Sequence, residues 1–356
     1  MIRPNAAVAA LAPYVPPSGR DPRQLLLDFN ENTAGAPAGA CRALARLSAG
    51  DLARYPELGP WRARLAKRLG LSPAKLFLVP GTDEAIAALI GAYGRPEKGD
   101  EVLYPVPTFG MYRFYADRGG LKRREVRFGR DLAYPVGALL KAVTPKTRLL
   151  FLASPNNPTG SVLARAGLEA LLRRASKALV AVDEAYIEFG GKSALPLLAR
   201  HRNLVVLRTF SKAYGLAGLR VGWLAGHPDV VEVLERAASP YRVSTVALAA
   251  AEAALAERPR ILRDAAAVRR ERAWLRDELG RRGLAVPASD GNFLLLPLGP
   301  AARKVLKRLA SDRIRLRDRS ADPGLDGVLR VTVGTPPQMR RFLAALDRAL
   351  GTERNA

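Results

Sequence analysis

The run Leu204-Val205-Val206-Leu207-Arg208-Thr209-Phe210-Ser211-Lys212-Ala213-Tyr214-Gly215-Leu216-Ala217-Gly218-Leu219-Arg220 decides how this chain is read. Leu204 to Arg208 is a short apolar run of the buried-strand type. The chain then passes the hydroxyls of Thr209 and Ser211, presents Lys212, and enters a glycine-bearing turn that closes on Arg220. A lysine amine attacks an aldehyde only when part of it is neutral, which requires a special environment. Hydroxyls, backbone amides and an arginine are what a phosphate group takes. An amine and a phosphate site within a few residues match an aldehyde ligand that also bears a phosphate. Taken alone, a lysine in an exposed Gly/Ser loop explains the run as well, so the flanking motifs carry the decision.

Working outward, Leu76 to Val79, Glu101 to Tyr104, Leu149 to Ala153 and Leu179 to Asp183 are further short apolar runs, with helical patterns such as Ala166 to Ser176 between them. This alternation predicts an α/β domain with a mostly parallel sheet covered on both faces. From about Thr245 the pattern changes to a long Ala/Arg/Leu helix, the short runs Leu284 to Val286 and Asn292 to Pro297, an apolar helix near Ala302 to Leu309, the strand Val328 to Val333, and a last helix from about Pro337 to Leu350. That reads as a smaller α+β domain. The expected division is an N-terminal arm over 1–35, a large ligand-binding domain over 36–250 and a small domain over 251–356.

Each predicted strand ends in residues with chemistry, where α/β sheets present ligand-binding groups. Gly81-Thr82-Asp83 opens a helix, and helix N–H groups with a hydroxyl cradle phosphate, although ordinary capping explains Asp83 nearly as well. Phe109 follows a strand and is able to stack on a flat ring or serve as plain core. Ser154-Pro155-Asn156-Asn157-Pro158-Thr159-Gly160 forms a rigid loop with exposed amides. Asp183 closes Val182-Asp183-Glu184-Ala185-Tyr186, where a carboxylate suits a protonated ring nitrogen or, more plainly, caps a helix from Glu184. Arg330 lies inside an apolar strand, a costly place for an unused charge. Arg317 belongs to the alternation Arg313, Arg315, Arg317, Arg319, which also suits a charged edge strand.

Composition removes several other classes. A chain of 356 residues, 48% hydrophobic, is of ordinary globular make-up. One cysteine and two histidines exclude an intramolecular disulfide and disfavour a metal centre, so no metal is expected. No secretory pattern stands at the N-terminus and no long apolar run spans a membrane, so the expectation is a cytoplasmic protein without membrane contact. The formal charge of +24 suits a polyanion partner. The arginines from Arg258 to Arg282, however, are interleaved with Glu271, Asp277 and Glu278 and read as a solvated helix face. No nucleic-acid-binding motif accompanies them, and no nucleic acid partner is expected.

Together these motifs resemble the fold-type-I aminotransferases that depend on pyridoxal 5′-phosphate. Arg208 to Arg220, Leu27-Asp28-Phe29-Asn30-Glu31-Asn32, Arg54-Tyr55-Pro56 and Leu329 to Thr335 are most similar to the histidinol-phosphate aminotransferase branch. The resemblance runs from Pro13-Tyr14 to the last helix. It implies that Lys212 carries the cofactor as a Schiff base and moves the substrate proton. It further implies that Asp183 pairs with the ring nitrogen, that Asn157 and Tyr186 bond the phenolic oxygen, and that Phe109 stacks on the ring. Gly81, Thr82, Asp83, Thr209, Ser211 and Arg220 would surround the cofactor phosphate, joined by Tyr55 from the second subunit of a homodimer. Tyr14, Asn30, Arg317 and Arg330 would line the substrate side. The implied reaction exchanges the amino group between L-histidinol phosphate and 2-oxoglutarate, giving imidazole-acetol phosphate and glutamate, in histidine biosynthesis. Aromatic-amino-acid aminotransferases and threonine-phosphate decarboxylases share the cofactor residues and are the alternatives. Ala310-Ser311-Asp312-Arg313-Ile314 departs from the pattern by lacking the glycine that many relatives carry before the following strand.

Overall fold

The computed structural model describes residues 2, 5–13, 19–21 and 23–351. Strand β1 (Leu25–Leu26) lies near the start, and seven strands build the main sheet: β2 (Leu76–Val79), β3 (Glu101–Val106), β4 (Lys122–Arg127), β5 (Thr147–Ala153), β6 (Leu179–Asp183), β7 (Leu204–Thr209) and β8 (Gly222–Ala225). Their order is β2-β8-β7-β6-β5-β3-β4, and β8 alone runs against its neighbours. The apolar runs are continuous because both sheet faces are covered. In β5, Leu150 and Leu152 join one core cluster while Leu149, Phe151 and Ala153 join the other. In β7, Leu204 and Val206 face opposite to Val205 and Leu207 in the same way.

Two strands of the main sheet escaped the sequence reading. The β4 strand, Lys122-Arg123-Arg124-Glu125-Val126-Arg127, buries only Val126 and closes one edge of the sheet, where charge is tolerated. The β8 strand is apolar but short and begins at Gly222. A Cβ there would stand 2.6 Å from the Arg208 carbonyl oxygen, so glycine lets the returning strand close on β7.

The C-terminal lobe has a sheet of β9 (Phe293–Pro297), β11 (Arg317–Asp318) and β12 (Val328–Thr332), in the order β11-β12-β9. β10 (Ile314–Arg315) pairs in parallel with β1. Leu25 and Leu27 sit in the same core as Leu296, Val305, Phe342 and Leu346, so the start of the chain is sewn into this lobe. The helix Arg258–Gly280 is not the simple solvated face expected from its charges. Arg269 donates to the Glu188 carbonyl at 3.0 Å and Arg276 to the Val286 carbonyl at 3.1 Å, and Arg272 reaches the Gly291 carbonyl. These arginines staple loops to the helix while others, such as Arg281 and Arg282, pair with Glu278.

The turn before β10 places Arg313 at φ +58°, in the left-handed region that disfavours side chains. The missing glycine noted in the sequence falls in this turn. Arg313→Gly is expected to stabilise the protein by about 1 kcal/mol through relief of that backbone strain, read as a rise in the midpoint of thermal or urea unfolding; an unchanged or lower midpoint contradicts it.

Candidate active site

A cavity of about 480 Å³ opens at the carboxyl ends of the parallel strands. The ends of β3, β5, β6 and β7 deliver Phe109, Asn157, Asp183 and Lys212 to its wall, and the helix Thr82–Tyr93 delivers Thr82 and Asp83. The C-terminal lobe closes the opposite side with Arg317, Arg319, Asp322 and Arg330.

At one end Thr82, Asp83, Thr209, Ser211 and Arg220 form a polar cradle. Ser211 accepts from Thr209 Oγ1 at 2.9 Å, and Arg220 lies 3.4 Å from Ser211 Oγ and 3.1 Å from Asp83 Oδ2. Asp83 therefore takes part through its side chain as well as through its place in the first helical turn. Gly81 stands behind the cradle. A Cβ there would come within 2.5 Å of Arg220 Nη2, and its φ of +89° also suits glycine. Arg220 itself has φ +49°, a strained backbone at the point where its guanidinium meets the helix N-terminus.

Asp183 is 4% exposed and lies at the end of β6. Its Oδ2 accepts from the Tyr112 hydroxyl at 2.9 Å, and its Oδ1 accepts from the Ala185 amide at 3.1 Å. Both readings of this residue thus contain something true: it caps a turn, yet each oxygen keeps lone pairs for another donor. Burial pushes its carboxyl up to about 6, against the Tyr112 hydrogen bond, which pulls it down. The neighbouring Glu184 is neutralised by Arg208 at 2.7 Å on the far side of the strand.

Lys212 Nζ donates to the Phe29 carbonyl at 2.8 Å and stands 5.8 Å from the Tyr186 ring centre. The Tyr186 hydroxyl accepts from Asn30 Nδ2 at 3.0 Å. Asn157 Oδ1 accepts from Arg330 Nη1, and its amide nitrogen has no protein partner among the described residues. Phe109 lines the wall, backed edge-on by Tyr112 at 5.8 Å.

Arg330 is 4% exposed and donates to the Asp28 carbonyl at 2.6 Å, while its buried Nε has no hydrogen-bond partner among the described residues. Burial lowers its guanidinium to about 10. Arg317 pairs with Arg330 in the β11–β12 register and rests over the Phe29 ring at 5.8 Å. The charged-edge reading of Arg317 is half right, since β11 is an edge strand, but its side chain turns to the cavity. Arg319 continues the alternation onto the same wall and is paired there with Asp322.

Not every expected residue arrives. Asn30 is fully buried and does not line the cavity; its left-handed backbone (φ +55°), Thr332 and Asn292 fix it beneath Tyr186 instead. Tyr55, assigned by the resemblance to the second subunit's cradle and not to this one, is 76% exposed and stacks on Tyr241 at 4.3 Å, outside this cavity. Tyr14 lies outside the described residues. Sequence reasoning passed over Tyr112, Arg319 and Asp322. The Arg313–Arg319 alternation was a signal for Arg319, whereas nothing local marks Tyr112 as the partner of Asp183.

The donor set fits pyridoxal phosphate. A hydroxyl-rich cationic cradle, a primary amine, two hydrogen-bonding groups for a phenolic oxygen and a buried carboxylate follow one another along one wall. Residues 22–346 match the family model for aminotransferase class I and II, and the chain belongs to that family. Among its relatives, a histidinol-phosphate aminotransferase of Symbiobacterium thermophilum is 39% identical, covering 98% of each chain. An aromatic amino acid aminotransferase of Rhodococcus erythropolis is 36% identical, over 97% of this chain and 95% of its own. The crystal structure of histidinol-phosphate aminotransferase from Sinorhizobium meliloti in complex with pyridoxal-5′-phosphate superposes with a TM-score of 0.88 at 26% identity, over 98% of each chain.

With its folded pKa raised, Asp183 binds a proton more tightly in the native than in the unfolded chain, so its ionisation weakens the fold as pH rises. In cofactor-free protein this costs about 3 kcal/mol in all, spread between about pH 3 and pH 7, one pKa unit being about 1.4 kcal/mol. Asp183→Asn should remove that loss, seen as a flatter pH profile of urea midpoints. Equal slopes for the two proteins over this interval would contradict the assignment.

Proposed function

We propose that this chain is a pyridoxal-phosphate-dependent transaminase that takes the amino group of L-histidinol phosphate and passes it to 2-oxoglutarate, giving imidazole-acetol phosphate and glutamate. The observation that carries the substrate choice is the charge of the C-terminal wall: Arg317, Arg319 and Arg330 face one carboxylate, Asp322. Two positive charges remain, which suits a phosphate dianion or the two carboxylates of glutamate and 2-oxoglutarate, and both are groups that guanidinium forks grip. The single carboxylate of a simple aromatic amino acid satisfies half of it. The names of most relatives point the same way.

Bound pyridoxal phosphate supplies an aldehyde carbon for the amino group and a ring that draws electrons from the substrate Cα. Everything else is done by the chain. The cradle of Thr82, Asp83, Thr209, Ser211 and Arg220 anchors the phosphate. Asp183 holds the ring nitrogen protonated, and a cation at that nitrogen returns its carboxyl to the ionised form. Asn157 and Tyr186 donate to the phenolic oxygen. Lys212 Nζ, released and neutral, would take the proton from the substrate Cα and deliver it to the cofactor carbon that had carried the aldehyde, across the shared nitrogen, as a general base and then a general acid. Arg330 and Arg317 orient the substrate anion, and Phe109 with Ala185 confines the ring. Tyr55 and Tyr241 form an exposed aromatic pair suited to a homodimer in which Tyr55 completes the partner's phosphate cradle. The chain's chemistry suits the cytoplasm, and no helix among the described residues is long and apolar enough to cross a membrane.

The primary test is an absorption spectrum of the purified holoenzyme. L-Histidinol phosphate should convert the cofactor band to that of the amine form, 2-oxoglutarate should restore it, and no carbon dioxide should be released. Lys212→Ala should abolish this cycle, and near-normal turnover in that variant defeats the proposal. Arg319→Gln should raise KM for histidinol phosphate about tenfold with a smaller change in kcat, the range expected for one charge-assisted hydrogen bond. An unchanged KM would remove Arg319 from the substrate site.

A further inference from the structure

A second cavity, of about 240 Å³, is lined by chain segments that continue from those lining the first. Phe29 lines the active site, and the residues that follow it, Glu31 to Pro37, line this second space. Its body is apolar: Ile261, Ala265 and Val268 from the long helix, with Phe189 and Val333. Set among these are oxygen atoms that lack donors. Asn292 is 2% exposed; its Nδ2 is spent on the Asn30 carbonyl at 3.0 Å, and its Oδ1 has no partner among the described residues. Glu271 Oε1 is likewise buried without a partner, and burial pushes that carboxyl up, with Arg340 the only cation opposing the shift. Glu257 Oε1 makes no hydrogen bond, with Arg42 at 3.7 Å, while its Oε2 accepts from Arg260 at 3.4 Å. The remaining acids on this wall are engaged: Glu31 by Arg20, and Asp264 by Arg260 at 3.8 Å.

A buried acceptor left without a donor is costly, and a cavity walled by acceptors calls for a ligand that supplies N–H groups. We propose that this cavity is a binding site for a small organic cation of the amidinium or guanidinium class, its apolar body against Ile261, Ala265 and Val268 and its N–H groups on Asn292 and Glu271. The ligand is felt at the reacting groups through the shared segment. Asn292 holds Asn30, which orients the Tyr186 hydroxyl, and Asn32 holds the carbonyl of Ala213, next to Lys212, at 3.2 Å. The active site offers no competing place, because its substrate wall carries an excess of arginines.

The test is a calorimetric titration of the holoenzyme with benzamidine, alone and with saturating 2-oxoglutarate, paired with turnover measurements. One submillimolar site is expected, indifferent to 2-oxoglutarate, with a change in kcat that substrate does not relieve. Glu271→Gln, which keeps the shape, should weaken binding about tenfold by removing the charge, and Val268→Trp should block the cavity. Both variants should keep kcat/KM within about twofold, as neither touches the catalytic groups. Absence of binding overturns the proposal and leaves these oxygens to water. Binding that competes with substrate, or that ignores Glu271→Gln, overturns it too, by placing benzamidine elsewhere. None of these outcomes depends on which amino donor the enzyme uses.

Discussion

The structure turns on one stretch of backbone, Phe29 to Asn32, which both lobes use at once. Its Phe29 carbonyl receives Lys212 Nζ, its Asn30 amide nitrogen orients the Tyr186 hydroxyl, and its Asn32 side chain holds the carbonyl of Ala213. On the other side the same stretch is tied to the C-terminal sheet. Thr332 donates to the Leu27 carbonyl, Arg330 to that of Asp28, and Asn292 to that of Asn30. A displacement of the C-terminal lobe therefore reaches the Lys212 amine through the hydrogen bonds of this seam. Preorganisation of this kind, by backbone groups held in a sheet, is what keeps reacting groups within the narrow geometry catalysis requires.

Charge is partitioned along the same seam. The chain has 57 Lys and Arg against 33 Asp and Glu, yet the surplus is not spread evenly in function. Arg208 is consumed beneath β6 by Glu184 and Glu188, and Arg269, Arg272 and Arg276 are spent on loop carbonyls. On the C-terminal wall of the cavity, Arg319 and Arg330 each keep a buried Nε without a partner among the described residues. Mutual repulsion and burial both lower their affinity for the proton, and an arriving anion relieves both. Such a wall is stable enough to exist and improved by substrate, which is the condition for strong anion selection.

Much of this was legible in the sequence, for an identifiable reason. The strands β5, β6 and β7 are buried on both faces, so they appear as unbroken apolar runs with sharp ends, and the residues after those ends are the site. Thr82, Phe109, Asn157, Asp183 and Lys212 stand just beyond such strand ends and line the cavity, together with Arg220 from the turn that follows. Strand β4 was missed because an edge strand carries charge, and Tyr112 because its meeting with Asp183 depends on how a helix packs across the sheet. Asn30 was placed on the substrate side because its motif was recognisable while its direction was not. Only the three-dimensional ties to Thr332 and Asn292 turn it under Tyr186. Spacing along a chain reports which residues stand at strand ends, and long-range hydrogen bonds decide which way they face.

The positions of backbone strain complete the account. Of the four described residues other than glycine with positive φ, two stand at the cavity or directly beneath its wall: Arg220 and Asn30. Glycine would adopt either conformation more cheaply, but it would supply neither the amide that steers Tyr186 nor the guanidinium that joins Ser211 to Asp83. A cost of this kind persists only where the surroundings over-determine the conformation. Here they do: Asn30 is held through its backbone N–H by Thr332 and through its carbonyl by Asn292, and Arg220 is held between Ser211, Ala217 and Asp83. Arg313 has the same backbone without a comparable side-chain duty in the site. The strain at Asn30 and Arg220 is thus tied to chemistry, and that at Arg313 is not.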